Sequence, residues 1–363
     1  MKKIITVNVI MMVLLVGCSK FNETEKNEQQ ENTVIEVTNV LDENTSVVAD
    51  ELNIPWSIDK KDDTFYLSER TGSIVKIENG EVERQKVELE KDLATASEAG
   101  LLGFVLAPDF QQSNRAYVYY TYKDDTGQFN RIVTVQQQGD IWKEERLLLD
   151  KIPSGSYHHG GRLKISPDGK LYATTGDAAK KPIAQDLNSL GGKILRMNLD
   201  GSIPADNPFP NSYIYSYGHR NPQGLTWSDD GAMYASEHGN NANDEINLIE
   251  AGQNYGWPTI EGTQQQSGLK TPLFTSGSDT TWAPSGMDYV DGKLYVAALR
   301  GQAVIEFNLT TGSHRNVVTN IGRIRDIFID GDQLYFISNN TDGRGDALEN
   351  DDKLYQLNLS QLN

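Results

Sequence analysis

Cysteine is almost absent from this chain of 363 residues, in which Cys18 is the only one. A single cysteine excludes an internal disulfide and a thiolate metal site, so any metal ion must be held by oxygen or by histidine. Histidine is also scarce, and two of the five histidines are adjacent, at positions 158 and 159. These few side chains are therefore the first candidates for proton transfer near neutral pH.

Positively charged residues are also fewer than negatively charged ones. The chain has 33 Lys and Arg residues against 51 Asp and Glu residues, for a formal net charge of −18. This balance argues against nucleic acid as a partner. No G-x-G-x-x-G sequence follows a predicted strand, which argues against NAD as a cofactor.

Long apolar runs are missing too. The run over residues 4–16 is too short to span a bilayer, and it follows two lysines as in a secretory signal. Leu15-Val16-Gly17-Cys18 is similar to a bacterial lipobox, in which the signal is removed before the cysteine and the cysteine sulfur is acylated. The alternative is an ordinary export signal with a coincidental cysteine. We predict a lipoprotein signal peptide over residues 1–17 and an extracytoplasmic protein anchored to the membrane by lipid on Cys18.

Residues 18–39 are rich in Asn, Glu, Gln and Thr and offer almost nothing to bury. This composition predicts a disordered tether. Residues 40–363 are long enough for one large β domain or for two smaller ones.

A short phrase recurs along residues 40–363: a turn of Asp, Gly or Asn, then a strand that contains an aromatic residue. The six copies begin at Lys61, Asn114, Asp168, Asp230, Asp291 and Asp330. Their spacing of about 40 to 60 residues fits one four-stranded blade, so we predict an all-β, six-bladed β-propeller in which each phrase is part of a hairpin. The alternative is a two-domain β protein.

Two features of this predicted propeller lie outside the repeat. Closing the ring needs strands from both ends of the domain, and Lys353–Leu357 is the natural partner for an early strand. The excursions Lys180–Pro210 and Gly256–Trp282 are rich in Gly, Pro and polar residues. We expect them to be long loops over one face, where loops of this kind commonly build the site.

The stretch from Ser156 to Asp177 joins reactive side chains to a predicted hairpin. His158 and His159 precede two glycines and a strand, and Gly176-Asp177 follows the returning strand. This arrangement predicts a catalytic histidine at a hairpin edge, with a solvated surface loop as the alternative.

Two other segments contain residues that suit the binding of an anion or of a cation. Arg323 and Arg325 alternate on one strand face and are suited to one anionic ligand. Asp244 and Glu245 lie beside glycine-rich turns and suit a hard cation such as calcium. Plain surface charge is the alternative for each pair.

These motifs, taken together, resemble a known family. The chain from about Leu52 to Leu357 is similar to the soluble aldose sugar dehydrogenases of the glucose/sorbosone dehydrogenase family, six-bladed propellers that depend on pyrroloquinoline quinone (PQQ). The motifs that carry the resemblance are Gly100-Leu101-Leu102-Gly103, His158 four residues before Arg162-Leu163, Gly176-Asp177, Gly218-His219-Arg220-Asn221-Pro222-Gln223-Gly224, Asp244-Glu245-Ile246-Asn247 and Asn254-Tyr255-Gly256-Trp257-Pro258.

The resemblance implies roles for the catalytic and cofactor-binding residues. His158 would be the general base, and Asp177 the carboxylate that holds its imidazole. Arg220 and Asn221 would lie near the reactive carbonyl of the quinone. The residues implied to bind the carboxylates of the cofactor are Arg300, Arg323 and Arg325.

The resemblance also implies calcium and substrate sites. Backbone carbonyls of Gly239 and Asn240 would hold the calcium that polarises the quinone, with Asn240 in place of the proline that the family has there. Asp244, Glu245 and Tyr255 match a second, structural calcium site. The implied substrate residues are Glu98 and Tyr157, and Tyr157 stands where relatives carry Asp or Asn.

The implied reaction is oxidation of the C1 hydroxyl group of an aldose to the lactone outside the cytoplasm, with electrons passing on to an external acceptor. Two alternatives remain: a calcium-dependent lactonase, and a propeller that binds a sugar or a protein without chemistry.

Overall fold

Nearly all regular structure in residues 45–362, the range that the computed structural model describes, is β-strand. The predicted signal peptide (1–17), the tether (18–39) and the lipidation site Cys18 lie outside the described residues. Among the described residues, no helix is long and apolar enough to cross a membrane.

The strands follow one another in groups of four. The first group is β2 (Pro55–Lys61), β3 (Thr64–Glu69), β4 (Ser73–Glu78) and β5 (Glu81–Glu88), after the lone β1 (Thr45–Ala49). The second is β6 (Leu101–Leu106), β7 (Arg115–Asp124), β8 (Gly127–Gln138) and β9 (Ile141–Pro153). The third is β10 (Leu163–Ile165), β11 (Leu171–Thr175), β12 (Lys193–Met197) and β13 (Ile214–Tyr217).

Three further groups complete the described chain. They are β14 (Pro222–Trp227), β15 (Met233–Glu237), β16 (Glu245–Ile249) and β17 (Phe274–Thr275); then β18 (Pro284–Val290), β19 (Lys293–Ala298), β20 (Ala303–Asn308) and β21 (His314–Val318); then β22 (Ile324–Asp330), β23 (Gln333–Ser338) and β24 (Leu354–Asn358). The helical structure in this range consists of single turns at Phe110–Ser113, Lys181–Ala184 and Leu359–Gln361.

Each group is antiparallel, and the groups contact one another through their first strands. The first two groups form one eight-stranded sheet because β5 pairs in parallel with β9, and the other groups are separate four-stranded sheets. β2 contacts β6, and contacts continue through β10, β14, β18 and β22 back to β2. This closed order of contacts is consistent with a β-propeller.

The two ends of the described chain meet in one sheet. β1 pairs with β24, with Thr45 opposite Leu357 and Val47 opposite Tyr355. The last group therefore takes its fourth strand from the start of the domain, and the predicted pairing of residues 353–357 with an early strand is confirmed.

The recurring phrase is confirmed as a hairpin in every copy. Its turn connects the first and second strands of a group, and its aromatic residue lies on the second strand and is buried. These residues are Tyr66, Tyr117, Tyr172, Tyr234, Tyr295 and Tyr335. Each one packs against the next group: Tyr295, for example, lies in a core cluster with Ile327 and Leu334, and Tyr335 in one with Phe65. The repeated aromatic therefore supplies the contact between neighbouring groups.

The excursion Lys180–Pro210 differs from the prediction, because it contains β12 and is not one loop. β12 is antiparallel to β11 and crosses the sheet. Residues 176–192 therefore lie at the sheet edge where β11 ends, and residues 198–213 lie at the opposite edge. The excursion Gly256–Trp282 likewise contains the short strand β17.

The buried carboxylate of Asp326 links segments of three groups of strands. Asp326 on β22 accepts hydrogen bonds from the backbone N–H of Ile58 (2.8 Å) and from Nη1 of Arg162 (2.7 Å). Burial raises the pKa of Asp326 and lowers the pKa of Arg162. Burial therefore costs both Asp326 and Arg162 their hydration, and each charged group is stabilised by the opposite charge of the other.

We expect Asp326→Asn to lower the free energy of unfolding by about 3–5 kcal/mol, because it leaves the Arg162 guanidinium buried without its counter-ion. Urea unfolding followed by circular dichroism measures this change. Asp330→Asn on the same strand is the matched control. It removes a carboxylate that is 55% exposed and should cost less than about 1 kcal/mol. Equal stabilities of the two variants would contradict the structural role of Asp326.

Candidate functional site

Antiparallel pairing within each group collects the predicted site residues at one edge of the sheets. The first residue of the first strand lies opposite the end of the second strand, as in Pro222 with Glu237 and Ile324 with Ser338. Residues just before a first strand and just after a second strand therefore share this edge. The predicted residues placed there include Glu98, Tyr157, His158, Asp177, Arg220, Asn221, Gly239, Asn240, Arg300, Arg323 and Arg325.

His158 and Asp177 form a hydrogen-bonded pair. His158 Nδ1 lies 2.7 Å from Asp177 Oδ1, and Asp177 is fully buried. Asp177 also accepts hydrogen bonds from the backbone N–H of Ala179 and from Nε1 of Trp257, each at 2.8 Å. An ionised Asp177 fixes the His158 tautomer that carries its proton on Nδ1, which leaves Nε2 free to accept a proton.

The backbone around His158 is tightly constrained. His158 has a φ of 64°, in the left-handed region that few residues with a side chain adopt. Its N–H donates to Glu98 Oε2 (3.0 Å). Gly176 lies so close to the His158 carbonyl that a Cβ atom there would be 1.9 Å from the oxygen. The glycine before Asp177 therefore allows the two loops of the pair to meet.

His159 is oriented differently from its neighbour. It is 2% exposed, and its Nδ1 lies 3.1 Å from Ser154 Oγ and 3.2 Å from Asn130 Oδ1. Burial is the main cause that lowers the pKa of His159, to about 4. The ring is therefore neutral at physiological pH.

Glu237, a buried residue, positions Arg220 and Asn221. Its Oε1 accepts hydrogen bonds from the backbone N–H groups of both residues, and its Oε2 lies 2.8 Å from Nδ1 of His219. Asn221 Oδ1 in turn accepts from the N–H of Gly160 (3.0 Å). Arg220 lies over the Trp257 ring, with 5.4 Å between Cζ and the ring centroid.

Two adjoining cavities open at this edge. The histidine cavity is lined by Tyr157, His158, Arg220, Asn221, Gly239, Asn240, Asn241, Asp244, Thr281, Ala283 and Arg300. The arginine cavity is lined by Trp56, Arg70, Leu102, His159, Gly160, Gln223, Leu299, Arg325 and Arg344. Glu98 and His238 line both, so the two cavities are neighbours.

The three arginines predicted to bind the cofactor are not equivalent. Arg300 is exposed and lines the histidine cavity, whereas Arg325 is buried and lines the arginine cavity. Arg323 pairs with Asp342 at 3.0 Å and, within the described part of the chain, lines neither cavity. Arg325 lies 3.9 Å from the same carboxylate oxygen, so the two alternating arginines converge on Asp342.

The predicted calcium residues line two cavities that share Arg220, His238 and Gly239. Asp244 lines the histidine cavity, and its carboxylate accepts hydrogen bonds from the backbone N–H groups of Gly239, Trp282 and Ala283 and from the hydroxyl of Thr281.

Glu245 and Tyr255 instead line a third, small cavity together with Glu237 and Glu261. Burial, with the nearby charge of Glu237, raises the pKa of Glu245. The Tyr255 hydroxyl donates to Leu248 O at 2.6 Å, so its oxygen is already engaged. In residues 45–362 no three acidic, histidine or cysteine side chains form a group that could hold a metal ion. A cation at this edge therefore needs backbone oxygens as ligands.

Glu98, predicted to face the substrate, is held by protein partners. Its Oε1 pairs with Arg344 Nη1 at 3.0 Å, across 246 residues of sequence. Burial alone would raise the pKa of Glu98, but the charge of Arg344 and the hydrogen bond from His158 N lower it to about 2.

Several residues of this site were missed as functional residues in the sequence. Trp257 and His219 lie inside motifs that the resemblance uses, which was the available signal. Arg70, Glu237 and Arg344 gave no such signal, because nothing in the sequence indicates which loops meet at the edge.

Fold and site together define an all-β protein of the propeller type, with a histidine–aspartate pair beside cavities lined by arginines. The sequence model of the glucose/sorbosone dehydrogenase family matches residues 52–349. The chain belongs to this family, as the motifs predicted.

Two relatives and one solved structure illustrate the similarity. Aldose sugar dehydrogenase YliI of Escherichia coli K12 is 31% identical over 345 residues, which cover 83% of this chain and 91% of the relative. Quinoprotein glucose dehydrogenase B of Acinetobacter calcoaceticus is 37% identical over 272 residues, 64% of this chain and 56% of the relative, so the match spans little more than half of that protein. The PQQ-bound form of aldose sugar dehydrogenase from Streptomyces coelicolor superposes with a TM-score of 0.81 at 36% identity, over 86% of this chain and 97% of that chain.

We expect Glu98→Gln to lower the free energy of unfolding by about 1–3 kcal/mol at neutral pH. A carboxylate with a depressed pKa contributes stability above its ordinary value of 4.5 and loses that contribution as the pH falls toward its folded value of about 2. The difference between the wild-type protein and the variant should therefore shrink as the pH falls through this window.

Urea unfolding at a series of pH values measures this difference. Glu81→Gln, at an exposed position on β5, is the control and should change stability little at any pH. The free energies of unfolding of the wild type and Glu98→Gln are compared down to the lowest pH at which both proteins fold. If their difference stays constant over this range, the assigned interactions of Glu98 are contradicted.

Proposed function

We propose that this protein oxidises the C1 hydroxyl group of an aldose to the lactone, with PQQ and calcium as cofactors and an external electron acceptor. The observation that carries the proposal is the His158–Asp177 pair, which leaves Nε2 of a half-buried histidine available beside a cavity that Arg220 and Asn221 also line. Membership of the family supplies the class of reaction.

The cationic side chains at this edge fit a cofactor that carries carboxylates. Arg220 and Arg300 line the histidine cavity, and Arg70, Arg325 and Arg344 line the arginine cavity. Buried polar atoms without a hydrogen-bond partner among the described residues include Nε of Arg220 and Nε2 of His238, both in residues that line these cavities. Unfilled hydrogen-bonding capacity of this kind is expected where a polar ligand binds.

When bound, the quinone supplies an electrophilic carbon that accepts hydride. His158 takes the proton of the C1 hydroxyl group at Nε2 as the hydride leaves C1, and C1 becomes the carbonyl carbon of the lactone. Asp177 keeps the imidazole oriented and stabilises its positive charge. The guanidinium of Arg220 and the free amide nitrogen of Asn221 stabilise negative charge that develops in the cavity. Glu98 and Tyr157 lie at the same cavity and are the proposed sugar contacts.

Calcium is proposed at two places. Gly239 and Asn240 line the histidine cavity next to Asp244, and their backbone carbonyls are ligands of the kind that calcium prefers. The second place is the small cavity lined by Glu245 and Tyr255, where Glu245 would contribute its carboxylate and Tyr255 its carbonyl, because the Tyr255 hydroxyl is engaged.

The same proposal takes the fold as a six-bladed propeller. It is supported by the antiparallel groups of four strands and by the closed order of contacts from β2 to β22. The parallel pairing of β5 with β9 then joins two adjacent blades at their outer strands.

Removal of the His158 side chain should slow the reaction without weakening cofactor binding. We expect the purified wild-type apoprotein to bind PQQ in the presence of calcium and to reduce a dye when an aldose is added. His158→Ala should bind the quinone normally while kcat falls about 100-fold or more, because general base catalysis contributes that much. Absorbance titration measures binding, and dye reduction with a panel of aldoses measures turnover. His314→Ala, an exposed histidine on β21, is the matched control and should keep full activity.

Three outcomes would contradict the proposal. Hydrolysis of lactones without quinone would indicate a lactonase, sugar binding without quinone binding would indicate a binding module, and an undiminished kcat in His158→Ala would remove His158 from the reaction.

The proposed location is the outer side of a membrane, with the lipid anchor on Cys18, and its support is the lipobox-like sequence alone. We expect a labelled fatty acid to be incorporated into the wild-type protein and not into Cys18→Ser, and we expect that variant to leave the membrane fraction. Fractionation with an immunoblot measures the second effect. A wild-type protein that is unlabelled and found in the soluble fraction would contradict the anchor.

A further inference from the structure

Arg70 is a half-buried cation at the site edge. It directly follows β3, and its side chain lines the arginine cavity with Arg325 and Arg344. Among the described residues, the Arg70 guanidinium makes no hydrogen bond and no ion pair. Burial is the main cause that lowers the pKa of Arg70; the charges of Arg344 and Arg323 also lower it, and the charges of Asp342 and Glu98 raise it. Arg70 therefore lies near carboxylates but makes no direct ion pair with them.

The carboxylates near Arg70 form ion pairs with other arginines. Asp342 pairs with Arg323 and lies near Arg325, and Glu98 pairs with Arg344. Four arginines thus share two carboxylates around the arginine cavity. Such an excess of positive charge is stable when an anionic group enters the cavity.

The space in the arginine cavity is about 20 Å³, which admits a small polar group and not a fused ring system.

We propose that Arg70 is a cofactor-binding residue that receives a carboxylate group of the quinone in the arginine cavity, while the ring system lies in the adjoining histidine cavity. This assignment rests on the proposed function. The alternative source of the same chemistry is the carboxylate of an acidic sugar, and the experiment below distinguishes the two.

The test compares substitutions at Arg70 that remove or keep its charge. Arg70→Met keeps the aliphatic stem, whose Cγ lies against Gly100, and removes the guanidinium. Arg70→Lys keeps the charge, and Arg70→Gln is a second neutral variant for the case in which the methionine variant does not fold. Arg146→Met, at an exposed position on β9 outside both cavities, is the control. Each apoprotein is titrated with PQQ and calcium by isothermal calorimetry, with thermal unfolding as a check of folding.

We expect the neutral variants to bind PQQ about tenfold or more weakly, because each loses a charge-assisted hydrogen bond. Arg70→Lys should recover most of the affinity with a stronger dependence on salt, and Arg146→Met should bind like the wild type. Folded neutral variants that bind PQQ within twofold of wild type would overturn the assignment.

Kinetics with a neutral aldose and with the corresponding uronic acid test whether Arg70 binds the carboxylate of an acidic sugar instead. An unchanged dissociation constant for the quinone in Arg70→Met, with a raised KM for the uronic acid alone, would assign Arg70 to the substrate and overturn the proposal. If the wild-type protein itself does not bind PQQ, the proposed function fails, and that outcome is distinct from a failure confined to Arg70.

Discussion

Antiparallel pairing of the first two strands in every group is the constraint on which this structure depends. It places the residue before the first strand and the residue after the second strand at one edge, as the pairing of Pro222 with Glu237 illustrates. The ring of contacts among first strands then brings these edges together around one centre. Side chains that are far apart in sequence, such as Glu98, His158, Arg220 and Arg325, reach two adjoining cavities for this reason.

Charge at this edge is opposite to the charge of the chain as a whole. The net charge is −18, yet five arginines line the two cavities. Burial, the largest influence on Arg325, lowers its pKa to about 9, which still leaves the side chain mostly charged at neutral pH. Neutral side chains help to hold it there, since Arg325 donates to Gln223 and Asn339. A local field of this sign attracts an anionic ligand.

The parts that sequence reasoning predicted are those that local pattern controls. The Asp-Gly turn and the following tyrosine predicted each hairpin, because a tight turn and a buried aromatic recur wherever a group packs on the next. His158 and Asp177 flank one such hairpin, so their contact follows from its pairing. Alternation also indicated that Arg323 and Arg325 share an anion, although within the protein that anion is Asp342.

Contacts between loops that are far apart in sequence could not be predicted from the sequence. Trp257 reaches Asp177 across 80 residues, and Arg344 reaches Glu98 across 246. The Gly, Pro and polar residues of the excursion Lys180–Pro210 predict a loop and conceal the five-residue strand within it. The sequence also does not indicate that the adjacent Asp244 and Glu245 line two different, neighbouring cavities.

In the proposed reaction, an aldose gives its C1 hydride to a bound quinone while His158 takes the hydroxyl proton. Anaerobic stopped-flow absorbance of the protein loaded with PQQ and calcium, mixed with an aldose that carries either hydrogen or deuterium at C1, tests it most directly. We predict that the bound quinone is reduced, more slowly with deuterium at C1 and much more slowly in His158→Ala. Absence of reduction by every aldose tested, or an unchanged rate in His158→Ala, would contradict it.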